Sequence, residues 1–524
     1  MKQSVSIRIS PQRLDQDYSK EIANKLEIDV ERIKKISLRK RSIDSRRSNP
    51  IYQLTFDVYL DKEPEQEEEF RLKLKDVSKA TPVVVIGAGP AGLFCALQLI
   101  ENGYKPIILE RGKAVKQRRK DVASVSKKGF VNPESNYCYG EGGAGTFSDG
   151  KLYTRSGKKG SIKKILNIFT LHGAKKDILI DAHPHIGTNK LPAVISAISN
   201  TIRDAGGEIF FNSKVIDIEF LTSKKIIVSC QDGQIFDVRS VIAATGHSSR
   251  EFLYMLKRNE VKLEAKAFAL GVRIEHPQSF INKSQYGDTK YQLPSASYAL
   301  RAQVNNELNT KGIKDRGVFS FCMCPGGIIC PAATSEKEIV VNGWSPSKRN
   351  SKYANSGIVV EIKPEDINMK DVFSGIELQK QVESAAFNIA GNTAGKSLAA
   401  PAERLDLFVQ GKTTDFKLDS SYNPGLVPSD LKAVFPAYIY KALKEGLKEF
   451  DKRIKGFVSK EAIIVAPESR TSSPVRIPRD SKTLMHIEKQ GFFPCGEGAG
   501  YAGGIVSAAI DGQRVADAVA SYLN

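Results

Sequence analysis

The stretch that most constrains the fold is Thr81–Arg111, TPVVVIGAGPAGLFCALQLIENGYKPIILER. Its apolar run, Val83 to Ile86, reads as a buried parallel strand. The run breaks at Gly87-x-Gly89-x-x-Gly92, where a helix opens. Gly87 permits the tight turn, Gly89 lets a pyrophosphate approach a backbone that has no Cβ, and Gly92 lets the helix pack close to the strand. The helix N-terminus adds free N–H groups and the positive end of its dipole. The helix is expected over Ala91 to Asn102, stopping at Gly103. A second apolar run, Pro106 to Leu109, ends on Glu110, about 20 residues past the glycines, where an acid accepts hydrogen bonds from a ribose. Strand, glycines, helix and acid in this order predict a dinucleotide site. An acid at Glu110 suits a free ribose hydroxyl, hence FAD or NAD rather than NADP.

The chain has 524 residues, of which 41% are hydrophobic and 26% charged, as in ordinary globular proteins with sizeable cores. No apolar run approaches the roughly 18 residues of a membrane span, and MKQSVSIRIS has no apolar signal core, so a cytoplasmic protein is expected. The seven cysteines are odd in number and fit no zinc spacing, so reduced thiols are expected. His183-Pro184-His185 lacks a third ligand nearby, and no metal site is expected. The formal net charge of +19 attracts nucleic acid, anionic lipid or an anionic substrate, or simply marks a Lys-rich solvated surface. Lys34, Lys35, Arg39, Lys40, Arg41, Arg46 and Arg47 form one local cluster.

Residues 1–78 read as a small N-terminal α+β domain. Ser4–Ile9 alternates as a strand, Asp17–Leu26 suits a helix, and further strands surround Ile36 and run from Leu54 to Leu60. The acidic stretch Lys62–Glu69 is a linker candidate. Residues 79–261 form the first part of the nucleotide domain. Within them lies Asn136–Arg155, NYCYGEGGAGTFSDGKLYTR, whose glycines leave the backbone free to wrap a ligand. A helix is expected from Leu191 to Arg203, then strands, with Ile226–Cys230 and Ile235–Val238 as a hairpin. From 262 to 460 strands alternate with loops and helices, the latter over Lys380–Ala390 and Pro436–Lys448, as in an inserted substrate domain. It carries Cys322-Met323-Cys324, either a reactive pair or two small residues on one strand face. Residues 461–524 return to the nucleotide domain, where GFFPCGEGAGYAGG precedes a helix and forms a second cradle around Glu497.

VVVIGAGPAG with Glu110, the Ala244-Thr245-Gly246 turn and GEGAGYAGG together resemble the glutathione-reductase-type FAD fold. NYCYGEGGAGTFSDGKLYTR, FSFCMCPGG and PESRTSSPVRIPRD are similar, more narrowly, to the bacterial family of uncharacterized FAD-dependent dehydrogenases. The resemblance implies an α/β fold: a Rossmann-type FAD domain, an inserted α+β domain and a small N-terminal α+β domain. It implies FAD held at Gly87, Ala88, Gly89, Pro90, Ala91, Gly92, Glu110 and Arg111 for the ADP half, with the Val215 backbone at adenine. Gly142, Gly143, Thr245, Gly246 and Lys151 would lie near the flavin or phosphates. Gly496, Glu497, Gly504 and Ile505 would hold the ribityl chain and pyrophosphate.

These features predict an FAD-dependent oxidoreductase acting by hydride transfer on a small molecule. Only one dinucleotide fingerprint is present, so NADH or NADPH would bind transiently as reductant or electrons would come from elsewhere. No CxxxxC follows the first helix, which argues against a disulfide reductase. Catalytic and anchoring candidates are Lys151, His185, Cys322, Cys324, Arg470 and Arg476, with Arg470-Thr471-Ser472-Ser473 read equally as an anchor for an anionic substrate or as an FAD-phosphate or interdomain contact. Two alternatives are open: a flavin-dependent RNA-modifying enzyme gripping phosphates through the basic cluster, and a non-catalytic flavin-bound sensor or scaffold.

Overall fold

The computed structural model describes residues 1–14, 16–46, 49–64, 69–154, 156–221, 225–305, 315–391, 398–413 and 419–524. Arg47, Arg155 and the middle of the acidic stretch lie outside the described residues.

The unbroken apolar run of the strand Pro82–Ile86 follows from its place between two cores. Val83 and Val85 pack into one, Val84 and Ile86 into the other, because successive side chains of a strand point to opposite faces. The strand is the middle of a five-stranded parallel sheet in the order Phe492–Pro494, Val241–Ala243, Pro82–Ile86, Lys105–Glu110, Glu208–Phe211. The helices Pro90–Asn102, Leu191–Asp204 and Ile505–Leu523 cover one face. An antiparallel three-stranded sheet, Val215–Phe220 with Ile226–Cys230 and Ile235–Val238, covers the other with the helix Arg250–Arg258. Parallel strands covered on both faces are the doubly wound arrangement, whose ligand crevice lies beyond the carboxyl ends of the strands.

The chain's end completes this domain. The helix Ile505–Leu523 lies against Pro90–Asn102, and a Cβ on Gly512 would stand 2.2 Å from the Ala91 carbonyl oxygen. Gly512→Leu should therefore force the two helices apart and cost about 1–3 kcal/mol by overpacking. Thermal denaturation of the variant would read this as a lowered midpoint, and an unchanged midpoint would refute the close approach.

The second domain is built on a seven-stranded sheet in the order Arg301–Asn305, Asp315–Cys324, Tyr353–Ile362, Phe268–Pro277, Ile463–Glu468, Ala400–Arg404, Leu426–Pro428. Ile463–Glu468 is thus a strand of this domain, past the expected boundary at 460. It sits between Phe268–Pro277 and Ala400–Arg404 and is buried throughout. The helix Ala437–Arg453 packs on the sheet through Ile439, Leu443, Leu447 and Phe450. The helix expected over Lys380–Ala390 starts earlier, at Ser374, and passes into a π-turn at Phe387–Gly391.

In the N-terminal domain the order is Lys2–Ile9, Ile51–Leu60, Ile33–Asp44, so Lys34, Lys35, Arg39, Lys40 and Arg41 of the basic cluster lie on an edge strand. One of its members docks the domain onto the body. The Arg41 N–H donates to the Ile180 carbonyl at 2.8 Å, and its Nε donates to Asp181 at the same distance. Lys34, Lys35, Arg39, Lys40 and Arg46 stay exposed. Among the described residues no helix is long and apolar enough to cross a membrane.

Candidate functional site

Where the sheet's central strands end, the chain must turn sharply. Gly87 takes φ +104°, and a Cβ there would lie 2.5 Å from the Ala244 carbonyl oxygen, so both backbone and space demand glycine. A Cβ on Gly92 would lie 2.0 Å from the Gly87 carbonyl oxygen, which sets helix against turn. Gly89 differs: its nearest neighbour would be Gly143 Cα, at 3.9 Å, and the space before it is open. Pro90 opens the helix at the position where a missing N–H costs nothing. The following N–H groups of that first turn have no intrahelical acceptor.

Glu110 is buried and ties three loops together. One carboxylate oxygen accepts the Ala88 N–H at 2.9 Å, and the other accepts those of Gly112 and Gly140, each at 2.9 Å. A carboxylate accepts about four hydrogen bonds, so acceptor capacity is left on Glu110, which lines the cavity. Arg111 beside it stacks on Tyr139, 4.1 Å from the ring centre, and pairs with Glu134 and Glu251.

A second helix N-terminus faces the same space. Gly504 caps Ile505–Leu523 with φ +109°, and nothing lies within 4 Å of a Cβ on Gly503, Gly504 or Gly246. Glu497 points inward, 3.5 Å from His247 Nδ1. One cavity of about 710 Å³ joins these parts. Its walls run from Glu110, Arg111 and Val215 past Gly87, Gly89, Gly143, Thr245, Gly246 and Gly504 to Lys151 and Cys322 under the second domain.

Several expected contacts are moved off the wall. Gly142 lies behind it: a Cβ there would meet Thr146 Oγ1 at 2.0 Å, and its N–H donates to the Ala88 carbonyl. Gly496 packs on Ala91 and donates its N–H to Asp511. Ala88 and Gly92 shape the turn without lining the cavity, whereas Pro90, Ala91 and Ile505 line it. His185 is also off the wall, held by the Ser347 carbonyl 3.2 Å from its Nε2, and burial lowers its pKa. It neighbours Lys151 only through a backbone bridge. Arg476 does not line the cavity.

Arg470 lines the cavity, but its guanidinium is already spent. It donates to Glu383 at 3.0 Å, to Glu338 at 2.7 Å and to Thr334 at 2.6 Å. Arg250 donates twice more to Glu383. Burial opposes the charge on Glu383, yet the two arginines prevail and lower its pKa to about 2. Of the two readings of Arg470, the free anion anchor is corrected and the interdomain contact is the one these bonds match. Two acids distant in sequence neutralise it.

Lys151, Cys322 and Cys324 do converge. Lys151 Nζ is 3.8 Å from the Cys322 sulfur, 3.5 Å from that of Cys324 and 3.2 Å from Asp149 Oδ2. Asp149, missed in the sequence, is also paired with Arg349 at 2.7 Å. Its only signal was its place two residues before Lys151 in the glycine-rich loop. Burial works against the Lys151 ammonium, but both thiols and Asp149 outweigh it and hold the proton on. The neighbouring Cys324 thiol, together with Lys151 and Arg273, brings the Cys322 thiol below its ordinary range against the pull of burial, and Cys324 moves up in turn.

Comparison with known proteins agrees with this geometry. Residues 82–128 match the FAD binding domain, 267–471 the FAD-dependent protein C-terminal domain-like family, and 1–59 a domain of unknown function. An uncharacterized protein of Clostridium beijerinckii is 41% identical over 531 residues, covering 96% of each chain. The chain belongs to the bacterial family of uncharacterized FAD-dependent dehydrogenases. Among solved structures, a flavoprotein/dehydrogenase from Cytophaga hutchinsonii covers 84% of this chain and 79% of its own at 11% identity and TM-score 0.37. Tetracycline destructase Tet(55) covers 86% and 85% at 12% identity and TM-score 0.34. This chain is an FAD-binding flavoprotein, and FAD fits its site. Two helix N-termini face the cavity, Glu110 keeps acceptor capacity, and open space stands where Gly89, Gly246, Gly503 and Gly504 have no Cβ.

Proposed function

We propose that the chain is an FAD-dependent oxidoreductase whose small-molecule substrate meets the cofactor beside Lys151 and Cys322. The observation that carries this is the continuity of one cavity from the nucleotide cradle to that cluster. Gly87, Gly89, Pro90, Glu110 and the Val215 backbone would hold the ADP half, and Glu497, Gly504 and Ile505 the ribityl chain and pyrophosphate. When bound, FAD supplies a centre that accepts or donates a hydride.

The chain's own groups supply the rest. Lys151 brings a positive charge and a proton at Nζ to the point where a substrate enters. Asp149, anchored by Arg349, fixes the direction of that ammonium. The second domain roofs the site with Phe321, Asn342 and Gly343, and so limits water there. The Arg470–Glu383–Arg250 cluster ties the helix Ser374–Ala386 of the roof to the nucleotide domain and keeps the two in register.

The test is anaerobic. Purified, FAD-loaded protein is offered NADH and NADPH separately, then dithionite, and the reduced protein is mixed with the electron-accepting dye dichlorophenolindophenol. The proposal predicts a flavin that is reduced and then hands its electrons to the dye over repeated cycles. A bound flavin that only dithionite reduces and the dye cannot reoxidise would contradict it and favour a sensor.

A further inference from the structure

The strand Asp315–Cys324 is irregular at the point where it reaches the cavity. Phe321 pairs with Gly357, but the next pairing is Cys324 with Asn355, so three steps on one strand oppose two on the other. The extra residue leaves a bulge, of the kind that re-aims a side chain. Cys322 sits in it with φ +50°, a left-handed conformation that a non-glycine residue adopts at a cost of about 1–3 kcal/mol. The buried Arg273 holds the bulge from below. It donates to Asn355 at 2.7 Å and to Glu468 at 2.6 and 2.7 Å, and reaches the Cys322 carbonyl at 3.5 Å. A regular strand would also put residues i and i+2 on one face. Here the bulge presents Cys322 to the cavity and leaves Cys324 buried, with the Cys324 thiol donating to the Cys322 carbonyl at 3.3 Å. Both sulfurs lie within 3.8 Å of the Lys151 ammonium.

We propose that Cys322 and Cys324 are a redox-active dithiol that passes an electron pair between FAD and a small disulfide, with Cys322 attacking, Cys324 resolving and Lys151 relaying protons. This deepens the oxidoreductase proposal and rests on it for the flavin. The Cys322 thiolate attacks one sulfur of the substrate R–S–S–R′. A mixed disulfide forms, the substrate S–S bond breaks, and R′S⁻ leaves with a proton from Lys151. Cys324 then gives its proton to Lys151 and attacks Cys322 Sγ. That step expels RS⁻, which is protonated in turn, and leaves a Cys322–Cys324 disulfide. Two thiols have been released for two electrons lost by the dithiol and one net proton from solvent. The Cys322–Cys324 disulfide regains its two electrons, as one thiolate and one thiol, from reduced flavin, and one proton returns to solvent. The pair lies in the roof of the site, far in sequence from the first helix, so no CxxxxC motif is needed.

The full-length protein is examined after its flavin content has been read from the visible spectrum. A chain without FAD then counts against the oxidoreductase proposal, while the thiol measurements below still decide the dithiol. After diamide treatment, mass spectrometry should find the peptide containing both cysteines about 2 Da lighter and closed to iodoacetamide. Anaerobic dithionite titration should take up about two electron pairs per flavin, one for each redox group. Cys324→Ser and Cys322→Ala should each return the uptake to one pair. With the reduced protein, bis(2-hydroxyethyl) disulfide as probe should reoxidise wild type at least tenfold faster than Cys322→Ala.

A further readout bears on Lys151 alone. The groups that act on Cys322 include Lys151, Arg273, Asp149, Glu468, Tyr137 and the Cys324 thiol. Without the ammonium, the thiol returns toward the ordinary value of about 8.5, so Lys151→Met should slow alkylation of Cys322 at pH 6 by roughly tenfold. One electron pair in diamide-treated wild type with full flavin content, or a peptide that keeps two alkylatable thiols, would overturn the proposal.

Discussion

Arg470→Met should destabilise the folded protein by about 3–5 kcal/mol, because it takes from the buried Glu383 and Glu338 one of the two arginines they share. Methionine keeps most of the side-chain volume, so the loss reads the charge and hydrogen bonds rather than a cavity. Glu383 retains Arg250 in the variant, which places the expected effect within that range instead of above it. The pH dependence has a definite sign. The folded-state pKa of Glu383 is depressed to about 2, so its contribution is fully present above the unfolded value of about 4.3. It is lost as the pH falls through that window toward 2. The gap between wild type and variant should therefore narrow on acidification. Urea denaturation at neutral and acid pH measures both effects. An unchanged midpoint at neutral pH would mean that Arg470 is free to bind an anion after all.

The second large effect separates the glycines by what surrounds them. Gly89→Val should leave the fold intact and weaken FAD binding by about 100-fold or more, equivalent to roughly 2.7 kcal/mol. Gly89 has φ −76° and ψ −176°, an extended conformation open to any residue. A Cβ there would have only Gly143 Cα within 4 Å, at 3.9 Å, and Gly89 lines the cavity. The flavin-free variant should lose about 1 kcal/mol at most, through a poorer helix cap. Gly87→Val should instead fail to fold properly, since its Cβ would stand 2.5 Å from a carbonyl oxygen at φ +104°. Thermal melts of the flavin-free proteins together with FAD titration distinguish the two. Equal FAD affinity in wild type and Gly89→Val would remove Gly89 from the cradle.

What could be read along the chain was what is local. The strand–glycine–helix unit at 82–102 and its acid at Glu110 are encoded in one continuous stretch, and so is the hairpin at 226–238. The order of the seven-stranded sheet was not legible, because Ile463–Glu468 inserts between strands that lie far from it in sequence. The same separation hid the character of Arg470. Its sequence neighbours Thr471, Ser472 and Ser473 suggest an anion site, while the acids that neutralise it are at 338 and 383. Gly142 and Gly496 looked like ligand contacts because glycine is permissive in either role, and only their surroundings show that they serve packing. Lys151, Cys322 and Cys324 were recognisable as residue types, but their meeting depends on a bulge that no periodicity announces.

FAD is expected in the one cavity that runs from Glu110 to Cys322. The most direct measurement is to denature the purified protein, identify the released cofactor by chromatography, and quantify it against protein. The expected result is FAD at about one per chain, or the same stoichiometry after incubating flavin-free protein with FAD. Release of a different nucleotide, or no flavin with no binding of added FAD, would contradict the account.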